Sequence, residues 1–265
     1  MIHLKTAKEL EKMREGGIVS TKVLEAVIGV AREGVTLSRL DKLAEELIIS
    51  YGAEPSFKKV KGYRWSICAC VNDVVVHGIP SDYILENGDV LGIDTGVYLG
   101  GFHTDCAWTI QVGDGTDNLE VKKFLATGEK ALISALSMVK PGNYIYDISN
   151  VIQQTIEKTN YSVVRSLVGH GVGRKLHEEP EIPGFASGER EKTVKIREGM
   201  VFAIEVIYNM GKPEVIYKGN DGWTIATKDG KISGLFEVTA AVTADGFFVL
   251  TPICSLGNKL KEDKG

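Results

Sequence analysis

The chain predicts an α+β fold made of one arrangement used twice, two helices laid against an antiparallel sheet. Three observations carry this. Helical periodicity fills residues 7–50, strand texture follows from about 66 to 112, and the same order returns from Leu119 onward. No Pro/Ser-rich linker separates the two stretches. Asp94, Asp105, His170, Glu205 and Glu237 are spread over both and are expected to gather into one nest. The halves, about 1–115 and 116–265, should therefore form a single pseudo-twofold domain.

The elements follow in order. Thr6-Ala7-Lys8-Glu9 is a capping box, with Leu10, Met13, Gly17, Val19 and Val23 behind it, so a helix should run from about 7 to 31. A second should begin at Ser38, bury Leu40, Leu43, Leu47 and Ile48, and stop at Gly52. SICACV, VLGIDTGVYL and FHTDCAWTIQV read as strands. Amphipathic runs at Leu119–Val139 and Tyr146–Lys158 predict the second helix pair. SVVRSLV, GMVFAIEVIYN, GWTIAT, LFEVTAAV and FFVLT supply the second set of strands, with Asp229-Gly230 and Asp245-Gly246 as hairpin turns.

Composition narrows the classes. With 265 residues, 43% apolar and 25% charged, the chain can bury a sizeable core. A net charge of −4 gives no case for a nucleic-acid site. Lys5–Arg14 and Lys259–Lys264 interleave acids with lysines and read as solvated ends. No apolar run approaches membrane-spanning length, and the first residues lack a signal-peptide centre, so a cytoplasmic protein is expected. Cys68, Cys70, Cys106 and Cys254 form no CxxC pair; Cys68 and Cys70 should share a strand face as buried thiols or as pocket lining.

The chemistry lies in the five scattered ligands. Carboxylates are seldom buried without a partner, so four of them in apolar strands call for a compensating charge. Four carboxylates and one neutral imidazole balance two divalent cations, which points to a two-metal hydrolase. A turn centred on Leu99-Gly100 would set Asp94 directly opposite Asp105, unless one faces solvent. His170 stands in Gly169-His170-Gly171-Val172-Gly173, where glycines remove bulk and permit unusual backbone angles; alone, it is as readily structural. His77 ends an apolar strand, where a lone histidine is more often a hydrogen-bonded core residue, and Glu178 and Glu179 read as solvated surface. The His177-Glu178-Glu179-Pro180 spacing excludes an HExxH helix.

Taken together, Asn72-Asp73-x-x-x-His77-Gly78-Ile79-Pro80, Ile93-Asp94-x-Gly96, His103-x-Asp105, Gly169-His170-Gly171-x-Gly173, His177-Glu178-Glu179-Pro180, Ile204-Glu205 and Phe236-Glu237-x-Thr239 resemble, in order, the type I methionine aminopeptidases. The resemblance runs from about residue 4 to Pro252. It implies the pita-bread fold and a dinuclear centre held by Asp94, Asp105, His170, Glu205 and Glu237, with two divalent ions sharing a hydroxide that attacks the first peptide bond. It further implies that His77 and His177 contact substrate, that Glu205 shuttles the proton, and that Phe57, Tyr63, Cys68, Leu176 and Trp223 form a methionine pocket. The donor set favours Mn, Fe or Co, with Zn also admissible. The implied substrate is the initiator methionine of nascent chains whose second residue is small, met by a monomer close to the ribosomal exit.

Five positions depart from the family pattern. Leu176 stands where Phe is usual, Val206 where Pro is common, Gly234-Leu235 where Ala-Gln is common, and Val238 in place of a histidine. None is an implied metal ligand, so rate and specificity are where they should matter. Two rivals remain: a prolidase or aminopeptidase P, marked by a long preceding domain, and a metal-free binding protein, marked by lost ligands.

Overall fold

A computed structural model of the chain describes residues 2–113 and 118–253. In chain order the elements are α1 (Ala7–Val30), α2 (Leu37–Ser50), β1 (Glu54–Pro55), β2 (Ile67–Val71), β3 (Val74–Val76), β4 (Val90–Leu99), β5 (Phe102–Gln111), α3 (Leu119–Ser137), α4 (Ile145–Glu157), β6 (Ser162–Val163), β7 (Val168–Gly171), β8 (Glu178–Pro183), β9 (Val201–Asn209), β10 (Val215–Tyr217), β11 (Ile225–Thr227), β12 (Ser233–Thr243) and β13 (Gly246–Val249). The Thr6–Glu9 capping box opens α1 as the sequence predicts. The second helix starts one residue earlier than expected, because the Thr36 hydroxyl accepts from the Arg39 N–H and becomes the cap.

One ten-stranded antiparallel sheet runs in the order β1-β4-β5-β12-β9-β7-β8, with β2 also on β4, β6 on β9 and β13 on β12. A smaller sheet, β10-β11-β3, stands beside it. Alternation along the central strands separates two faces. Ile93, Val97, Cys106, Trp108, Ile204, Val206, Phe236 and Val238 belong to the main core cluster, together with the apolar faces of all four helices. Asp94, Asp105, Glu205 and Glu237, at the alternate positions, point to the other face. Val206 and Val238 are thus packed under the helices, away from the carboxylates.

The seam between β5 and β12 lies at the middle of the sheet. Ala107 pairs with Glu237, and on either side a threonine hydroxyl takes over the ladder. Thr239 Oγ1 accepts from Asp105 N–H at 2.9 Å and donates to the Asp105 carbonyl at 2.8 Å. Thr109 Oγ1 does the same for Leu235, at 2.9 and 2.7 Å. The two stitches are mirror statements of one another, one made by each half of the chain.

Several sequence expectations change. The β4–β5 turn consists of Gly100 and Gly101, with φ of 60° and 91°, the left-handed pair a two-residue hairpin demands. Asp94 therefore faces Ala107 and Asp105 faces Gly96, so the carboxylates are diagonal neighbours on one face rather than direct partners. SVVRSLV is not one strand: only Ser162–Val163 pair with β9, and pairing resumes at Val168. Asp229-Gly230 is a turn, yet it joins strands of different sheets and makes no hairpin, while Asp245-Gly246 does close β12 onto β13. Lys259–Lys264 and Cys254 lie outside the described residues.

Candidate metal centre and pocket

The register places the ligands in two adjacent rows on the open face of the sheet. One row runs Asp94, Ala107, Glu237, Glu205 across β4, β5, β12 and β9. The next, two residues along, carries Asp105, then Thr239, Ala203 and His170 across β5, β12, β9 and β7. Ala107, between Asp94 and Glu237, and Ala203, between Thr239 and His170, keep the floor open. One oxygen each of Asp105 and Glu237 and one nitrogen of His170 lie within 4.8 Å of one another. His170 Nε2 is 3.5 Å from Glu205 Oε1 and 4.0 Å from Asp105 Oδ2.

The donors fit a divalent cation on three counts. The His170 spacings are long for hydrogen bonds but match ligands on either side of an ion that each would contact at about 2.0–2.2 Å. Asp94 Oδ1, Asp105 Oδ1 and Glu237 Oε1 are buried acceptors with no hydrogen-bond partner. Such groups are costly to leave unmet. His170 Nδ1 lies 2.9 Å from the Gly171 carbonyl, which can only accept; the proton must sit on Nδ1, leaving the Nε2 lone pair for the floor.

The electrostatics agree. Burial raises the Asp94 carboxyl to about 7. Burial first, then the neighbouring carboxylates, push Asp105 and Glu237 well above the usual range, and burial with the Asp94 charge does the same to Glu205. Burial holds His170 down to about 4, keeping it neutral.

Glycines flanking His170 serve space rather than special angles, contrary to half of the sequence expectation. None of the three has positive φ. A Cβ on Gly169 would lie 2.7 Å from the Ala203 oxygen, and one on Gly171 would collide with the Glu179 carbonyl. His170 itself lies on β7, not in a turn.

His77 does adopt the left-handed region, with φ of 56°. It follows β3, where Gly78 is pinned through its carbonyl to Ala69 N–H at 2.8 Å. Such backbone persists where the surroundings impose it, and clusters at functional sites. Pairing of Val76 with Ile225 brings this turn to Trp223, whose ring meets that of His77 edge-on at 6.4 Å. Asp221 fixes the Trp223 loop by accepting from Trp223 N–H, Thr224 N–H and the Thr224 hydroxyl.

A cavity of about 120 Å³ opens from the floor. All twelve residues proposed from sequence line it: the five ligands, His77, His177, Phe57, Tyr63, Cys68, Leu176 and Trp223. Val60 and Val76 also line it, and sequence reasoning missed them because a lone valine carries no chemical signal. Tyr63 meets Phe57 and Trp223 edge-on at 6.2 and 5.2 Å, and its hydroxyl donates to Cys68 Sγ at 3.2 Å. Cys68 stands directly opposite Asp94 on β2, where apolar wall meets anionic floor. His177 stands at the mouth, solvent-exposed on one side yet walled enough for burial to lower its pKa, and its ring meets His170 at 4.5 Å.

Two residues expected in solvent are not there. Glu178 pairs with Lys5 at 2.7 Å, and the Lys5 side chain is only 2% exposed. The cation, entering from the supposedly solvated N-terminal run, is what lets Glu178 tuck under. Glu179 is exposed, as expected.

Comparison with known proteins matches this architecture. The model of metallopeptidase family M24 matches residues 11–244. The methionine aminopeptidase 1 of Bacillus subtilis is 43% identical over 253 residues, spanning 96% of this chain and 100% of its own. A crystal structure of methionine aminopeptidase from Rickettsia prowazekii superposes with a TM-score of 0.91 at 36% identity, covering 95% of this chain and 100% of that one. The prolidase from Pyrococcus horikoshii, 23% identical with a TM-score of 0.76, shares the fold, and this chain covers 63% of it. A buried Asp/His/Glu cluster on a pita-bread sheet, with such relatives along nearly its whole length, shows that the chain belongs to metallopeptidase family M24 and, within it, to the methionine aminopeptidases.

Proposed function

We propose that this protein removes the N-terminal methionine from polypeptides whose second residue is small, using two divalent cations held by Asp94, Asp105, His170, Glu205 and Glu237. One observation carries the reading: orphaned buried carboxylate oxygens open directly onto a small cavity walled by aromatic rings and a thiol. Thioethers make favourable contacts with such rings. Hard oxygen donors with one imidazole and no thiolate favour Mn, Fe or Co over softer metals, with Zn admissible.

When bound, such cations lower the pKa of water toward neutrality and polarise a carbonyl. The chain's own residues do the rest. Tyr63, Trp223, Phe57, Leu176 and Cys68 hold the methionine side chain and exclude water. The end of the floor at Asp94 would receive the substrate's free α-amino group, which restricts cleavage to the chain end. His177, neutral at the mouth, donates a ring N–H to the scissile carbonyl, and His77 bonds the substrate backbone beside it. Glu205, on the floor beneath the cavity, would take the proton shed by the attacking water and pass it to the leaving amine.

The reading extends to a cytoplasmic monomer working near the ribosomal exit, which co-sedimentation with ribosomes tests. Release of methionine from Met-Ala-Ser and Met-Lys-Ser, with added Mn, Co or Fe and with a chelator, tests the chemistry. Met-Ala-Ser should be cleaved, Met-Lys-Ser spared, and the chelator should stop the reaction. Equal turnover of both peptides would sink the specificity, and chelator-resistant cleavage the metal requirement.

A further inference from the structure

His177 and Leu176 sit on a short turn, residues 173–178, that belongs to no helix and enters a strand only at Glu178. Something must hold it. At one end Gly173 accepts from His103 N–H at 2.7 Å, two residues before Asp105. At the other end the Glu178 carboxylate does the holding. Its Oε1 accepts from Lys175 N–H at 3.1 Å, closing the turn on itself, and its Oε2 meets Lys5 Nζ at 2.7 Å.

Lys5 is well suited to be the fixed partner. Its N–H donates to the Gly199 carbonyl at 2.7 Å, and the next residue, Thr6, is locked into the α1 capping box. Its ammonium is buried, and Gly173 leaves the room: a Cβ there would lie 2.5 Å from Lys5 Cε and 2.8 Å from Nζ and Glu178 Oε1. A second tie runs the same way, from Arg174 to Glu9 at 2.9 Å in the first turn of α1. The N-terminal arm is therefore braced against the turn that presents His177.

We infer that Lys5 is a positioning residue for the reaction: by holding Glu178 in a buried ion pair it fixes the 173–178 turn and so aims His177, and with it Leu176, at the cavity. This rests on the role given to His177 above. The Lys5 ammonium pairs with Glu178 and with none of the five proposed metal-binding side chains, so its loss should separate turnover from metal binding. Breaking a buried pair by removing one partner leaves an uncompensated charge that the turn must move to solvate.

The test compares wild type with Lys5→Met, Glu178→Gln and the double variant, each loaded with Mn. Turnover of Met-Ala-Ser, Mn affinity and hydrogen exchange are measured well below each variant's melting temperature. Lys5→Met should lower kcat about tenfold or more, since misplacing a group by about 1 Å is enough. Mn affinity should stay within about threefold, and exchange should rise in 173–178 but not across β4, β5, β9 and β12, because the ligands keep their strands. Glu178→Gln should behave alike, and the double variant should be no worse than the poorer single, because both cut one strut. Unchanged kcat in either single variant, losses that multiply in the double, or exchange and Mn affinity worsening across the whole sheet would each overturn the inference. If Lys5→Met does not fold, Glu178→Gln decides by the same criteria. Inactive wild type would instead refute the proposed function, so the two failures are distinguishable.

Discussion

Stripping the metal should make the protein lose stability as pH rises from 7 to 8. Four carboxyls on one floor have pKa values raised chiefly by burial, Asp94 to about 7 and the other three well above the ordinary carboxylate range. In the unfolded chain the same groups titrate near ~4. Between those values the folded state holds protons that the unfolded state has shed, so raising pH favours unfolding. Histidines pull the other way: His170 and His103 are held down to about 4, and His77 and His177 are lowered, all by burial. Their stabilising effect grows with pH only up to the unfolded value of ~6.5. Above pH 7 the carboxyls act nearly alone. Each proton retained costs about 1.4 kcal/mol per pH unit, or about 3–5 °C in melting temperature for a chain of this size. Divalent cations should remove the slope, because they replace those protons. Thermal melts at pH 7 and 8, with chelator and with saturating Mn, measure it; the difference between the two conditions cancels groups remote from the site. A metal-free melting temperature that stays flat or climbs over this interval would refute the account of the floor.

Asp94→Asn and His170→Ala should each abolish methionine release while preserving the far-ultraviolet circular dichroism; an active double variant would remove both from the site. Thr239→Val and Thr109→Val should each lower stability by about 1–3 kcal/mol, since each orphans a buried N–H and carbonyl at the seam. Only Thr239→Val disturbs the backbone of Asp105, so it alone should weaken Mn binding, about 10–100-fold, by titration calorimetry. Trp223→Ala removes an edge-on ring from the pocket wall and should lower kcat/KM for Met-Ala-Ser about 3–10-fold, chiefly through KM.

Period, caps and acids were legible in the sequence where physics is local. The α1 capping box and the alternation of Ile93, Asp94 and Thr95 need only neighbours along the chain. The diagonal offset of Asp94 and Asp105 was legible but misread: Gly100-Gly101, unlike Leu99-Gly100, offers the left-handed pair a two-residue hairpin demands, and one residue decides the register. Lys5 was misread for a different reason: burial of a lysine depends on a carboxylate 173 positions away. The same distance hid the Thr239–Asp105 stitch, since a threonine in a strand is unremarkable until its partner strand is known. Among the departures from the family pattern, Val206 and Val238 are settled by parity alone, since both point into the helix-covered core. Leu176 is different; it lines the cavity, so any shift in substrate preference should trace to it.

The cavity joins two surfaces that only a chain end can satisfy together. Its wall is apolar and aromatic; its floor carries buried acceptors, Asp94 Oδ1 among them, that lack any donor. A methionyl α-amino group would bring a free lone pair to the cation-bearing floor at Asp94 while its side chain fills the wall. An internal methionine brings an amide nitrogen, whose lone pair is delocalised into the preceding carbonyl and is not free to bind a cation. N-acetyl-Met-Ala-Ser reproduces that mismatch in a small peptide, with the pocket contacts unchanged. Losing the contact that orients the scissile bond should lower kcat/KM by about a hundredfold. Chromatographic assay for released N-acetylmethionine measures this directly. Cleavage of the blocked peptide at a rate close to that of Met-Ala-Ser would mean that the floor does not read the amine, and exopeptidase action would then need a cause outside these carboxylates.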